Sequence, residues 1–294
     1  MKIIDCFMYF DEDMILDIRL NTLDKYVDKF IICEAKYNHN GEQKKLNFDI
    51  KKFKKFEKKI NYIVVEKLPQ NLKLINDEDS VLVKNSKILD NALVRENYQR
   101  NFCQQRLKNF SRDDLVIIND LDEIPNLENF TYKNKITIFK QKMFYYKLNL
   151  QYPNFEWIGS KICKIKHLKN PQWLRNIKSK RYPLWRADVF FSSKKYFDVN
   201  FVNQGGWHFT NVKSAQKIDH KMRNFLHHLE YEKSGIGVKD LENLMKDKKI
   251  MYDHDSDKKK LNKWQNSRSL EKVDLELLPK YILNNFTKFK SWVD

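Results

Sequence analysis

No apolar run in the chain approaches the roughly 20 residues that a membrane-spanning helix needs. The first ten residues also lack a basic segment leading into a long apolar one, the pattern of a secretory leader. A cytoplasmic protein is expected, with peripheral contact to an anionic membrane left open. No C-x-x-C pair is present either. Cys6, Cys33, Cys103 and Cys163 lie far apart, which argues against a zinc site or a compact disulfide framework and makes reduced, buried thiols the expectation. There is no internal repeat and no recognisable nucleic-acid-binding module.

What the chain does have is basic charge and apolar bulk. Its net charge is +17, which invites an anionic partner, because Lys and Arg neutralise phosphates and raise encounter rates with them. Lysine outnumbers arginine 46 to 10, however, and the chain is rich in Asn, Ile, Phe and Tyr. These are residues that A+T-rich codons encode, so base composition accounts for much of the excess. Runs such as Lys51 to Lys59 and Lys258 to Lys260 read as solvated faces. A hydrophobic fraction of 41% and an aromatic fraction of 14% exclude a disordered chain, which lacks the apolar surface to offset conformational entropy. At 294 residues the chain is long enough for one large core.

Local patterns alternate. Ile3 to Met8 is a short apolar run. Asp11 then offers an N-cap to a segment in which Leu16, Leu20 and Leu23 recur at helical spacing. Phe30 to Cys33 and Tyr62 to Val65 form further strand-like runs, separated by a lysine-rich amphipathic segment carrying Phe48, Phe53 and Phe56. A long polar helix is expected from about Ser80 to Asn109, and a fourth strand over Asp113 to Asn119. Such alternation argues for a mostly parallel sheet with helices on both faces. The second half reads as a mixed extension of that sheet, with strands expected at Ile136 to Leu150, Trp157 to Ile165, Trp185 to Phe191 and Tyr196 to Val202. Ala215, Ile218, Met222, Phe225 and Leu229 then mark one amphipathic helix. Lys246 to Lys263 reads as a polar loop, and Leu275 to Trp292 as a helical segment packing back.

The most informative stretch runs from Leu115 to Pro125, where a hydrophobic strand enters Asp120-Leu121-Asp122-Glu123-Ile124-Pro125. In a parallel α/β sheet, ligands collect beyond the carboxyl ends of the strands. Two carboxylates at i and i+2 just past a strand can therefore reach one divalent cation, which favours oxygen ligands and bridges to phosphates. The plainer reading is an acidic turn after a buried strand.

Asp120 to Pro125 after Val-Ile-Ile resembles the D-x-D-E-I-P signature of glycosyltransferase family 17. Other segments agree in order: Ile4-Asp5-Cys6-Phe7 with Glu12, Asp17, Arg19 and Leu20; Val27 to Phe30 leading to Glu34-Ala35; and Arg95, Glu96, Gln99, Arg100 and Asn101. The last are Gly206-Trp207-His208-Phe209, Lys221-Met222 and Asn224 to His227. The matches span roughly residues 3 to 228. One departure is clear: the family's acidic residue two places after the helical histidine is Leu229 here, with Glu230 one place later.

The resemblance implies a Rossmann-like nucleotide-sugar transferase fold of the GT-A type, a mixed central sheet flanked by helices, and inversion at the anomeric carbon. A catalytic domain is expected over residues 1–246, with a donor-binding half to about 125 and an acceptor-side half from 126. Residues 247–294 would form a polar loop and a helical appendage. The expected partners are a UDP-sugar, by family analogy UDP-N-acetylglucosamine, and a glycan or glycolipid acceptor. Manganese or magnesium is the expected cofactor.

The metal candidates are Asp120, Asp122 and His208, the last as an imidazole completing the site from the second half of the chain. Glu34, Asp5, Arg95, Arg100, Trp207 and His227 are donor-side candidates, each with a structural alternative such as an ion pair or a core contact. Inversion needs a base for the acceptor hydroxyl, and Glu123, Glu156 and Asp188 are the candidates. Two other functions remain to be weighed. A basic nucleic-acid-binding protein would use the charge, and a metal-dependent phosphohydrolase would use the same aspartates within a denser carboxylate and histidine cluster.

Overall fold

The computed structural model describes residues 1–254, 263–264 and 268–294. The first half builds four parallel strands. They are β1 (Ile3–Met8), β2 (Lys29–Ala35), β3 (Ile60–Val65) and β4 (Leu115–Ile118), connected through helices α1 (Asp13–Leu23), α2 (Val81–Phe102) and α3 (Gln104–Leu107). β1 and β4 are apolar and buried almost throughout, as strands covered on both faces must be. One face packs α1 through Leu16, Leu20 and Leu23; the other carries Cys6, Cys33 and Cys103 with Leu107.

The second half adds β5 (Glu123–Pro125), β6 (Ile136–Tyr145), β7 (Leu150–Lys164), α4 (Pro171–Asn176), β8 (Val199–Val202) and β9 (Gly206–Thr210). After these come α5 (Ala215–Asn224), α6 (His228–Ser234), α7 (Val238–Lys246), β10 (Glu271–Lys272), α8 (Lys280–Asn284) and α9 (Phe286–Phe289). Among the described residues the strands form one sheet in the order β3-β2-β1-β4-β7-β6-β9-β5, with β10 joined to β7 and β8 to β6. β7 runs antiparallel to both β4 and β6, so the sheet is mixed and flanked by helices. Strand order reverses between β1 and β4, which makes the carboxyl ends of these two strands the place for a ligand crevice.

Several local expectations are corrected. Asp11 is not the α1 cap: Glu12 holds that position without a capping bond, and Asp11 is drawn into an ion pair with Lys213. The long helix divides at Cys103, and the helix expected through Leu229 ends at Asn224, whose side-chain amide bonds back to His220 O while Phe225 turns extended. Trp185 to Phe191 form no strand but a short turn around Ala187–Val189, because only Val189 finds a buried position. Pro279 and Asn285 break the C-terminal segment into short helices, which pack through Ile282 and Phe289 into the core that holds α1. The expected loop over Lys246 to Lys263 is irregular from residue 247 to 254; residues 255–262, with Lys258 to Lys260, lie outside the described residues. No helix among the described residues is long and apolar enough to cross a membrane.

Candidate active site

A cavity of about 360 Å³ opens where β1 and β4 end. Asp120, Leu121 and Asp122 of the loop after β4 line it, and a buried arginine shapes that loop. Arg19, fully buried on α1, pairs with Asp5 through Nε and Nη2 at 2.8 and 2.7 Å. Its Nη1 donates to the carbonyls of Leu121 and Glu123 at 3.1 and 2.8 Å, and Asn119 joins the pair. Guanidinium suits this use, with five donors in a fixed fork. Asp5 is thus a support under the loop and does not line the cavity.

Asp120 faces two guanidinium groups, Arg100 at 3.0 Å and Arg175 at 2.8 Å. Burial alone would raise its carboxyl, but Arg175 and Arg100 outweigh that and hold it well below the usual range. About a third of the side chain, 32%, remains exposed. Arg175 also forks onto the buried Glu123, whose other bonds come from Trp157 Nε1 at 2.6 Å and Asp120 N at 2.9 Å. Gly159 makes room for that carboxylate, since a Cβ there would come within 2.2 Å of Glu123 Cδ. Glu123 is therefore saturated and buried, which removes it as the base.

Asp122 meets the second half of the chain. β5 pairs with β9 so that Glu123 lies opposite His208, and Phe209 N donates to Asp122 O at 2.9 Å. Gly206, at φ +130°, permits this close approach, because a Cβ there would lie 2.1 Å from Ile124 O. Asp122 Oδ1 stands 3.5 Å from His208 Nε2, and Oδ2 3.6 Å from Lys221 Nζ. Burial would raise this carboxyl, but Lys221 and then His208 lower it. Lys221 bridges onward to Glu12 at 3.1 Å, which Lys213 also contacts. Burial disfavours charge on Glu12 and Lys221 alike, yet their pairing holds the acid down and the lysine up.

The donor set for a cation is narrow. Among the described residues no three His, Cys, Asp or Glu side chains form a metal-binding group. Asp122 and His208 do converge on one space at a separation longer than a hydrogen bond, and His208 Nδ1, buried, has no hydrogen-bond partner. A carboxylate and an imidazole so placed fit a cation that takes its remaining ligands from phosphate and water. Asp120, with one arginine on each oxygen, does not fit as a direct ligand. The denser cluster of a two-metal phosphohydrolase is absent among the described residues.

The remaining candidates divide. His227 reaches the cavity, not from α5 but from the cap position of α6, and its Nδ1 lies 3.3 Å from Glu230. The shifted acid thus pairs with the histidine across three residues. Arg100 borders the site through Asp120 and Glu96. Glu34 is consumed by Asn47 N, Phe48 N, Tyr62 Oη and Lys44, a structural role. Arg95 bonds His39 O and is turned to the 39–41 loop. Trp207, on the opposite face of β9 from His208, donates to Leu277 O and lines a separate cavity. Glu156 pairs with Lys140, and Asp188 with Arg186 and Lys195; both are exposed and border no part of the site cavity, so neither can serve as its base.

Arg175 was missed in the sequence, and Glu12 and Glu96 stood there only within the matching family segments, with no role in the site. Asn170 followed by Pro171 does signal the start of α4, but nothing in that signal ties its arginine to the aspartates.

The Glycosyltransferase family 17 model matches residues 1–293. The chain belongs to glycosyltransferase family 17. Within the family, it is 28% identical over 119 residues to the human and rat β-1,4-mannosyl-glycoprotein 4-β-N-acetylglucosaminyltransferases, a stretch covering 38% of this chain and 19% of each relative. The aligned stretch thus spans about a fifth of those relatives. Among solved structures, the family 17 chain overlaps loosely with glucosyl-3-phosphoglycerate synthase from Mycobacterium tuberculosis in complex with Mn2+, UDP and phosphoglyceric acid. That overlap has a TM-score of 0.30 and 11% identity, covering 78% of each chain. A galactosyltransferase in complex with donor and acceptor sugar analogs gives 0.28 and 12%, covering 69% of this chain and 73% of that one.

Proposed function

We propose that the chain is a metal-dependent, inverting glycosyltransferase that moves N-acetylglucosamine from UDP-N-acetylglucosamine to a hydroxyl of a glycan or glycolipid. The observation that carries this reading is the meeting of Asp122 with His208 beside the arginine-held Asp120, at the carboxyl ends of β1 and β4. The N-acetylglucosamine part rests on family membership and on the names of the curated relatives.

Asp122 and His208 would hold manganese or magnesium, which as a Lewis acid stabilises the charge left on the departing diphosphate. Asp120 sets the neighbouring charge. By fixing Arg100 and Arg175, it keeps positive charge next to the diphosphate, with Arg175 at the cavity wall and Arg100 behind it. Lys221 adds a third cation, kept protonated by Glu12 and Asp122.

His227 is the base this reading assigns. Its ring borders the cavity, its side chain is 53% exposed, and Glu230 on Nδ1 leaves Nε2 to take the acceptor's proton. The other acids facing the cavity are committed to cations: Glu12 to Lys213 and Lys221, and Glu96 to Arg100.

The test is release of UDP from a panel of UDP-sugars by purified protein with Mn2+. Turnover with UDP-N-acetylglucosamine above the other sugars, abolished by chelation, supports the reading. Turnover unaffected by chelation, or none with any donor, contradicts it.

A further inference from the structure

Trp185 is the only exposed tryptophan among the described residues, at 81%, and its neighbours are exposed with it. Leu184, Phe190 and Phe191 are 79%, 73% and 92% exposed, so a short stretch turns four large apolar side chains to solvent. The backbone that carries them is held in place. Lys178 N donates to Lys194 O at 2.8 Å across the base of the loop, and Val189 is buried beneath it. Phe190 packs on Phe197 with ring centroids 5.1 Å apart, and Trp173 of α4 donates to Ser193 O at 2.9 Å. A patch of this kind on ordered backbone marks an interaction surface.

Charge identifies the partner. Residues 178–197 contain six basic side chains, Lys178, Lys180, Arg181, Arg186, Lys194 and Lys195, against one acid. That acid, Asp188, is already paired with Arg186 and Lys195. An apolar tip flanked in sequence by six basic side chains complements a surface that is anionic at its boundary and apolar beneath it. Tryptophan prefers the boundary of a bilayer, and long basic side chains reach from such a boundary to anionic headgroups.

We infer that the loop 178–197 docks the protein on an anionic lipid surface, with Leu184, Trp185, Phe190 and Phe191 entering the headgroup boundary and the surrounding lysines and arginines meeting lipid phosphates. The loop follows α4, the helix that carries Arg175 of the site. The inference is independent of the donor and of the metal.

Co-sedimentation of the full chain with lipid vesicles tests it, comparing phosphatidylcholine alone with mixed phosphatidylcholine and phosphatidylglycerol. Binding to the mixed vesicles alone is expected, weakening as salt rises. The double substitution Trp185→Ser with Phe191→Ser should weaken binding about tenfold or more. Because both side chains are exposed, its thermal unfolding and its UDP affinity should match the unmodified protein. Failure of the unmodified protein to bind mixed vesicles, or equal binding by the double variant, overturns the inference. So does a dimer in light scattering that the double substitution dissociates, or single-stranded RNA that the loop binds in preference to the vesicles.

Discussion

Asp122 Oδ1 and His208 Nε2 stand 3.5 Å apart, a carboxylate just beyond β4 and an imidazole from β9 brought together by the short β5–β9 ladder. Neither strand alone would make a site. If the pair holds the cation, His208→Ala should raise the manganese concentration needed for half-maximal transfer by about tenfold or more. Asp122→Asn should lower transfer about 100-fold with the fold intact. Metal titrations of activity, with circular dichroism as the check on folding, measure both.

Arg19 and Asp5 make a different prediction. Both are fully buried, so Asp5→Ala leaves a guanidinium without its counter-charge, at a cost of about 3–5 kcal/mol. Urea unfolding should show that loss. Because Arg19 also holds the carbonyls of Leu121 and Glu123, donor affinity should fall in the variant even where it remains folded.

His227→Ala should reduce kcat by about 10²- to 10⁴-fold while leaving donor KM nearly unchanged. A parallel rise in donor KM would instead assign the imidazole to the phosphates.

Stability should fall with pH in two stages. Burial lowers His254 to about 3 in the folded protein, whereas an unfolded histidine takes up its proton near 6.5. The unfolded state therefore binds more protons between these values, and stability declines as pH drops from about 6.5 toward 3. Asp120 and Glu12, held down by Arg175 and by Lys213 respectively, add stability above the unfolded carboxyl range near 4 that is lost as pH falls below it. Urea midpoints across this range should follow that course, with the first stage flattened by His254→Phe.

The parts legible in the sequence were those whose physics is local. β1, β4 and the motif Asp120 to Pro125 stood out because a buried strand must be apolar and the acids follow it directly. Arg175 was not legible, because its meaning lies in a contact between α4 and Asp120 in the loop after β4, 55 positions away in sequence. Glu123, Glu156 and Asp188 misled for opposite reasons. Burial saturates the first, and ion pairs on the surface occupy the other two. Residue type alone distinguishes neither case from a free base. The split between α5 and α6 was hidden too, since apolar spacing continues across Asn224 while its side chain ends the helix.

Calorimetric titration of UDP with and without Mn2+ tests the central claim most directly. Without a cation, Asp122 brings negative charge to the diphosphate; with one, Asp122 and His208 would join it to the phosphates. Metal should therefore tighten UDP by roughly 5- to 150-fold, and UDP should tighten metal by the same factor. Replacing Asp122 by Asn and His208 by Ala together should erase that coupling while sparing much of the metal-free affinity, which the positive charge of Arg175 and Lys221 at the cavity wall would supply. Equal UDP affinity with and without manganese in the unmodified protein would contradict the account.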